Sequence, residues 1–121
     1  MKNTTSIGDV AMANDGYNEW IMACDAKCLK NGDMLEFNHE KKQILISKAG
    51  GKVFATDRIC THAYADLSMG IMNEEEKTVT CPFHLSAFKL DNGVPQNLPA
   101  EEPLKTYKVK IQDNAIYIKL D

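Results

Sequence analysis

Two short segments that each pair a cysteine with a histidine constrain this chain more than any other feature of its sequence. They are Cys60-Thr61-His62 and Cys81-Pro82-Phe83-His84, and eighteen residues separate His62 from Cys81. The chain has four cysteines and three histidines, so half of its cysteines and two of its histidines lie in these segments. Thiolate sulfur and imidazole nitrogen bind soft and borderline metal ions. The pattern therefore predicts a metal site built from two loops.

The spacing of the ligands suits a site that is held from two sides. Each segment places its two ligands on one tight loop, and the residues between the segments are numerous enough to form part of a sheet before the chain returns. Pro82 stiffens the second loop, because its ring fixes its own φ and biases Cys81 towards an extended conformation. We therefore expect two loops that grip one centre.

Two kinds of metal centre match two cysteines and two histidines. In a [2Fe–2S] cluster of mixed ligation, the two cysteines bind one iron and the two histidines bind the other. The same four ligands can also hold a structural zinc ion. Zinc modules usually pair like ligands within one segment, whereas each segment here contains one of each kind. The mixed segments favour the cluster, and zinc is kept as an alternative.

Ligand charge predicts the redox behaviour of such a cluster. An oxidised [2Fe–2S] core with two thiolates and two neutral imidazoles carries no net charge, so it accepts an electron more readily than a core with four thiolates. Histidine ligation accordingly raises the reduction potential to roughly −150 to +300 mV. The sequence thus predicts a one-electron carrier of moderate potential.

Composition limits the class of protein and its partners. The chain of 121 residues has the length of one domain, and its net charge of −3 does not suggest a nucleic-acid partner. Its apolar runs are too short for a membrane span. Residues 1–16 have no apolar segment typical of a secretory signal. We expect a flexible N-terminal leader at 1–16, a single domain at 17–121 and a cytoplasmic location.

Hydrophobic patterning predicts an all-β fold. Short apolar or alternating stretches recur along the chain, and turn residues (Gly, Asn and Asp) separate them, which is typical of a β-sandwich or barrel. Predicted strands lie at 20–24, 34–37, 42–48, 53–56, 78–80, 88–90, 107–112 and 115–120, with a hairpin turn at 49–52 and one helical turn at 25–30.

Two further observations concern the remaining cysteines and the lack of catalytic motifs in the sequence. Cys24 and Cys28 lie four positions apart, and we expect two free thiols rather than a redox pair. The sequence contains no nucleophile–base arrangement, no phosphate-binding loop and no mononuclear iron triad. It therefore predicts a protein that is not a stand-alone enzyme.

These motifs resemble those of Rieske-type [2Fe–2S] ferredoxins, over about residues 20–120. Segments 60–70 and 80–88 resemble the two cluster loops of the family, while Asp91-Asn92-Gly93 and segment 98–104 resemble its turn and the proline loop that covers the cluster. The resemblance implies a three-sheet antiparallel β-sandwich with a cluster-binding subdomain of two loops. It also implies one [2Fe–2S] cluster per chain, with the edges of His62 and His84 near solvent.

In its departures from the family pattern the chain resembles the soluble, low-potential, oxygenase-type group of the family. Quinol-oxidising members carry extra cysteines where this chain has Ala65 and Phe83, so no disulfide can clamp the two loops here. Ser86 matches a serine that donates a hydrogen bond to a bridging sulfide, whereas Phe88 replaces a tyrosine of high-potential members. Leu85 stands where the family usually has glycine. We expect a reduction potential below that of the quinol-oxidising class and above that of plant-type ferredoxins.

The resemblance implies a soluble one-electron carrier that passes electrons between a reductase, such as a ferredoxin reductase, and a terminal oxidoreductase, such as an oxygenase. In this reading Cys60 and Cys81 bind one iron, His62 and His84 bind the other, and Ser86 assists. Two alternatives are a small Rieske subunit of an oxidoreductase complex such as nitrite reductase, and a zinc-stabilised binding module.

Overall fold

The fold described by the computed structural model covers residues 20–83 and 85–120. The predicted leader at 1–16 and the predicted ligand His84 lie outside the described residues. Over the described ranges the chain forms antiparallel strands and two short 3₁₀ turns, Ala26–Cys28 and Leu67–Met69. The strands are β1 (Trp20–Asp25), β2 (Met34–His39), β3 (Lys42–Ala49), β4 (Lys52–Asp57), β5 (Ile71–Asn73), β6 (Thr78–Thr80), β7 (Ala87–Lys89), β8 (Thr106–Gln112) and β9 (Ala115–Lys119).

The strands form a large sheet of order β1-β9-β8-β4-β3-β2 and a small sheet of order β5-β6-β7. The large sheet has two halves that share β8. The first residues of β8, Thr106 and Tyr107, pair with β4, whereas residues 108–112 pair with β9. The two halves and the small sheet account for the predicted three-sheet arrangement, and the all-β antiparallel fold class is confirmed.

Turn residues at the hairpins match the backbone that each hairpin requires. The β3–β4 hairpin turns at Gly50 and Gly51, which both have positive φ values, of 59° and 79°. The β8–β9 hairpin turns at Asp113 and Asn114, with φ values of 53° and 63°. Two consecutive residues of positive φ match the twist of the flanking strands, and Gly, Asn and Asp adopt that conformation at the lowest cost. These short signals explain why the strands flanking the two hairpins were predicted accurately.

Two hydrophobic clusters form the core, and the smaller sheet shares one of them with the large sheet. The first cluster joins Leu45 and Phe54 of the large sheet to Val79 and Phe88 of the small sheet, and it also contains Cys60 and Cys81. The second cluster joins Leu29, which follows the turn Ala26–Cys28, to strands of the large sheet, and its other members are Ile44, Ile46, Ala55, Tyr107, Ile116 and Ile118. The predicted ligand cysteines are therefore part of the packed contact between the two sheets.

Two elements between the cysteine–histidine segments escaped the sequence-based prediction. The 3₁₀ turn Leu67–Met69 is capped by the Asp66 side chain, which accepts a hydrogen bond from the Ser68 N–H. Strand β5 pairs with β6 but exposes Ile71, so its residues do not alternate between apolar and polar in the way that a half-buried strand does. Within residues 20–83 and 85–120, no helix has the length and apolar character needed to cross a membrane.

The expectation of free thiols at Cys24 and Cys28 is wrong, because the structure joins them in a disulfide with Cα atoms 6.4 Å apart. Asp25 between them caps the turn Ala26–Cys28 by accepting a hydrogen bond from the Lys27 N–H. The turn brings the chain back towards the end of β1, so that Cys28 meets Cys24. Sequence spacing alone does not reveal this reversal of direction.

Candidate metal centre

The first cysteine–histidine segment lies on a closed loop between β4 and the turn Leu67–Met69. Ile59 and Asp66 form an antiparallel bridge at the base of this loop, and the Cys60 N–H donates to the Ala65 carbonyl at 2.8 Å. The Tyr64 N–H donates a hydrogen bond to the Cys60 carbonyl at 3.1 Å. The backbone around Cys60 is therefore held by hydrogen bonds on both of its sides, and its side chain is buried.

The second segment lies on a loop between β6 and β7, and its geometry mirrors that of the first. The Cys81 N–H donates to the Ser86 carbonyl at 2.8 Å, which closes the loop. Leu85 has a φ of 60°, the left-handed region that glycine adopts without a steric penalty. A non-glycine residue in this conformation costs roughly 1–2 kcal/mol. The loop therefore keeps the backbone that a glycine at this position favours, although the residue is leucine.

The two loops bring the thiols of Cys60 and Cys81 together inside the first hydrophobic cluster. Both cysteines are buried and neither forms a disulfide. The pKa of the Cys81 thiol is raised above its ordinary value, mainly because the thiol is buried. The Phe83 backbone N–H, which donates to the sulfur, lowers the pKa in part. A hydrogen bond with Cys60 and the charge of Cys60 raise it further. Two unpaired thiols in contact with each other in an apolar site fit a pair of ligands that share one iron, since a thiol becomes a thiolate when metal binds.

A third loop, rich in proline, is hydrogen-bonded to both cysteine loops. Thr61 Oγ donates to the Glu102 carbonyl at 2.8 Å, and the Ala100 N–H donates to Ser86 Oγ at 3.0 Å. Asn97 accepts from the Ala87 N–H at 2.8 Å and donates to the Leu85 carbonyl at 3.1 Å. The resemblance predicts that this loop covers the site, and the structure shows the contacts that hold it there.

Sequence reasoning missed Asn97 and the Phe83 N–H as parts of this site. The Asn97 side chain forms hydrogen bonds to backbone groups at the end of the second loop. In the sequence, however, an asparagine between prolines cannot be distinguished from an ordinary turn residue. The Phe83 N–H acts through the main chain, so no side-chain pattern marks it. Pro82, directly after Cys81, predicts a turn, and this is the one sequence feature that could have indicated a backbone donor at Phe83.

Among the predicted site residues, Cys60, Cys81 and Ser86 are buried together, and His62 is exposed at the loop tip. The Ser86 hydroxyl accepts a hydrogen bond from Ala100, so its own proton remains available for a second partner. Phe88, which replaces the tyrosine of high-potential relatives, is fully buried in the core and offers no donor. Among the described residues no group of three metal-ligating side chains forms, so the structure brings Cys60 and Cys81 together but not His62 with them. His84 lies outside the described residues.

Large apolar side chains are exposed on the three loops that surround the cysteine pair. Tyr64 lies on the first loop, Phe83 and Leu85 lie on the second, and Leu98 lies on the proline loop, with exposed fractions between 57% and 81%. Clustered exposed apolar residues on a folded protein are typical of a surface that contacts another protein. The loops around the thiols therefore present a group of exposed apolar side chains.

A family model described as "Rieske [2Fe-2S] domain" matches residues 19–108 of this chain. The ferredoxin component of a naphthalene 1,2-dioxygenase system from Pseudomonas putida is 32% identical, over 84% of this chain and 96% of its own length. The ferredoxin subunit of a 3-phenylpropionate/cinnamic acid dioxygenase from Photorhabdus laumondii is 46% identical, over 81% of this chain and 91% of its own length.

Solved structures give the same picture. A ferredoxin of Sphingomonas yanoikuyae B1 superposes with a TM-score of 0.79 at 30% identity, covering 85% of this chain and all of the other. A chain from a complex of reduced oxygenase and oxidised ferredoxin in carbazole 1,9a-dioxygenase superposes with a TM-score of 0.78 at 28% identity, over 83% of this chain and 92% of the other.

Proposed function

Because this chain belongs to the Rieske [2Fe–2S] domain family, we propose that Cys60 and Cys81 bind one iron of the cluster and that His62 and His84 bind the other. The observation that carries the proposal is the contact of two buried, unpaired thiols on two loops that close in the same way. The exposure of His62 supports an imidazole ligand whose outer edge faces solvent. Each loop then supplies one ligand to each iron.

The chain is an electron-transfer protein, and its own residues set the conditions for that function. A bound [2Fe–2S] cluster supplies a site that takes up and releases one electron. The first hydrophobic cluster excludes water from the sulfur side, because Cys60 and Cys81 are both buried there. The loop tip leaves His62 exposed, so this end of the molecule offers an electron a short route to a partner.

We propose that the chain carries electrons from a ferredoxin reductase to a terminal dioxygenase that acts on an aromatic compound. Support comes from the ferredoxin components of naphthalene and 3-phenylpropionate/cinnamic acid dioxygenases among its relatives. Exposed apolar side chains around the thiols suit a protein partner. Seven acidic and three basic residues lie between positions 58 and 104, so a partner surface that contacts this end is expected to be basic.

The proposed function is tested on the purified full-length protein. We expect about two irons and two acid-labile sulfides per chain, a red-brown oxidised form, and an electron paramagnetic resonance (EPR) signal after one-electron reduction. Reduction by a ferredoxin reductase with NADH should slow as the salt concentration rises, because screening weakens steering between charged surfaces. A colourless protein that holds about one zinc and no sulfide would contradict the proposal.

Ser86 is proposed to donate a hydrogen bond to the cluster, and Ser86→Ala is expected to lower the reduction potential by about 60 mV, a tenfold change in the one-electron equilibrium. The physical reason is that a donor towards sulfur stabilises the extra negative charge of the reduced state. Protein-film voltammetry measures the shift.

Ser47→Ala is the matched control for Ser86→Ala. Ser47 is also fully buried, but its hydroxyl has no hydrogen-bond partner among the described residues. This variant should leave the potential unchanged. Equal potentials for Ser86→Ala and the wild type would remove Ser86 from the electron-transfer site, and Ser86 would then serve only to hold Ala100.

We further propose residues 17–121 as the functional domain, residues 1–16 as a leader that cluster binding does not need, and the cytoplasm as the compartment. The family match begins at residue 19, which supports the domain boundary. The free thiols of Cys60 and Cys81 suit a reducing compartment, whereas the disulfide between Cys24 and Cys28 does not, so the cytoplasmic proposal rests on the two thiols of the metal site. Cell fractionation and a chain that begins at residue 17 check these points.

A further inference from the structure

The chain uses arginine once, and that residue is buried. Of its fourteen basic residues thirteen are lysines, and the remaining one is Arg58. Arg58 is 5% exposed, and no other charged residue is buried within residues 20–83 and 85–120. Burying a cation is costly unless partners surround it, so a single buried arginine indicates a specific task at its position.

The guanidinium of Arg58 joins two carboxylates that come from different parts of the fold. Its Nη1 donates a hydrogen bond to Glu36 Oε1 on strand β2 at 3.2 Å. Its Nε forms an ion pair with Asp66 Oδ1, 3.5 Å away at the far end of the first cysteine loop, but makes no hydrogen bond within the described residues. The Ser68 hydroxyl lies between the two carboxylates, 2.6 Å from Asp66 and 3.0 Å from Glu36. The four side chains form one connected polar network.

This network lies at the base of the loop that carries Cys60 and His62. Arg58 enters the loop and Asp66 leaves it, so their ion pair spans the two stems. Backbone hydrogen bonds make the same two connections. The Leu67 N–H donates to the Arg58 carbonyl at 2.8 Å, which joins the stems, and the Arg58 N–H donates to the Gln43 carbonyl of the large sheet at 3.0 Å. Glu36 adds the side-chain connection to the large sheet.

We infer that Arg58 is a positioning residue for the metal centre: it closes the stems of the first cysteine loop and ties them to the large sheet, which sets where Cys60 and His62 are held. This inference rests on the proposed function of the loop. Partners behind the ligands of a metal site orient them, and their loss weakens metal binding although they never touch the metal.

Arginine suits this task better than lysine because of its geometry. Its planar fork presents donors in several fixed directions, so one side chain can reach carboxylates on two different elements. An ammonium group is a point charge on a flexible stem and is not directed to both partners at once. A chain that otherwise uses only lysine has arginine at the one position where two arms are needed.

The test compares the wild type with Arg58→Met and Arg58→Lys, all as full-length holoproteins. We expect the half-time of cluster loss to an iron chelator to shorten by about tenfold or more in Arg58→Met, with an intermediate value in Arg58→Lys. The g values of the reduced cluster in the EPR spectrum should shift in the same order, because they report ligand geometry. A structural role remote from the cluster would not move the g values.

Two further variants keep the test decisive. Lys110→Met removes a half-buried cation that lies 4.5 Å from the Trp20 ring in the other half of the sheet, and it should match the wild type in both measurements. Glu36→Ala removes the anchor on the large sheet without leaving a cavity, since the Glu36 side chain is 54% exposed. It should shift both measurements in the direction of Arg58→Met.

Outcomes separate the inference from the function on which it rests. A wild-type protein without the cluster signal would refute the proposed function. A wild type with the signal, together with an Arg58→Met protein of equal cluster lifetime and g values, would overturn the inference alone, and so would an Arg58→Lys protein that equals the wild type. If Arg58→Met does not fold, Glu36→Ala decides, and unchanged g values in that variant would overturn the inference.

Discussion

Replacing Cys81 by serine is expected to give a folded protein that holds no cluster. Cys81 is fully buried against Cys60, and a hydroxyl in its place remains neutral at pH 7, whereas iron in this site needs a thiolate. Iron and sulfide content should fall by about tenfold or more, since one ligand and its charge are lost. Elemental analysis and the visible spectrum measure the loss.

The fold should survive this substitution, because the serine is close in size to cysteine and the Phe83 N–H can donate to its oxygen. Cys28→Ser is the matched control: Cys28 is exposed and bonded to Cys24, away from the first hydrophobic cluster, so its replacement should leave the cluster intact. A Cys81→Ser protein that keeps the full absorption and EPR signal would refute the assignment of Cys81 as a ligand.

Gly70→Ala is expected to lower the free energy of unfolding by about 3 kcal/mol or more, the upper range for overpacking at a site that cannot relax. A methyl group on Gly70 would overlap the Thr80 carbonyl oxygen. The methyl position is fixed by the backbone of residue 70 and the oxygen belongs to the backbone of Thr80, so neither can rotate away. Thr80 pairs with Ile71 and directly precedes Cys81. Urea unfolding followed by Trp20 fluorescence measures the change, and cluster retention should fall with it.

The control for Gly70→Ala separates steric overlap from backbone strain. Gly51 has a φ of 79°, and no atom lies within 4 Å of the position that its methyl group would occupy. Gly51→Ala should therefore cost only the roughly 1–2 kcal/mol of a left-handed alanine. If the two variants were equally stable, close approach between β5 and β6 would not be the reason for glycine at position 70.

The site could be predicted from the sequence as far as its chemistry and no further. The two cysteine–histidine segments were recognised because the cysteine and the histidine of one loop are close in the chain, and Ser86 was singled out only through the family resemblance. Asn97 was missed because its partners, Leu85 and Ala87, lie ten or more positions away. The Arg58 network was missed for the same reason, since Glu36 is 22 positions distant.

The disulfide between Cys24 and Cys28 shows the same limit at short range. The spacing of four positions was visible, but it is compatible both with two thiols that point apart and with two that meet. The outcome depends on the turn Ala26–Cys28, which Asp25 caps from within. Whether a turn reverses the chain enough for contact depends on the packing of Leu29 behind it in the second hydrophobic cluster.

The two cysteine–histidine segments, most strand positions and the hairpin turns depend on residues that are neighbours in the chain, and the sequence by itself determined these features. The tertiary structure alone decided which surfaces meet. Examples are the contact of Cys60 with Cys81, the approach of Gly70 to Thr80, and the ion pair of Arg58 with Asp66 across the stems of the first loop. The physical reason is that such contacts join residues far apart in the chain, so they depend on how both sheets bury their apolar faces and not on any local preference.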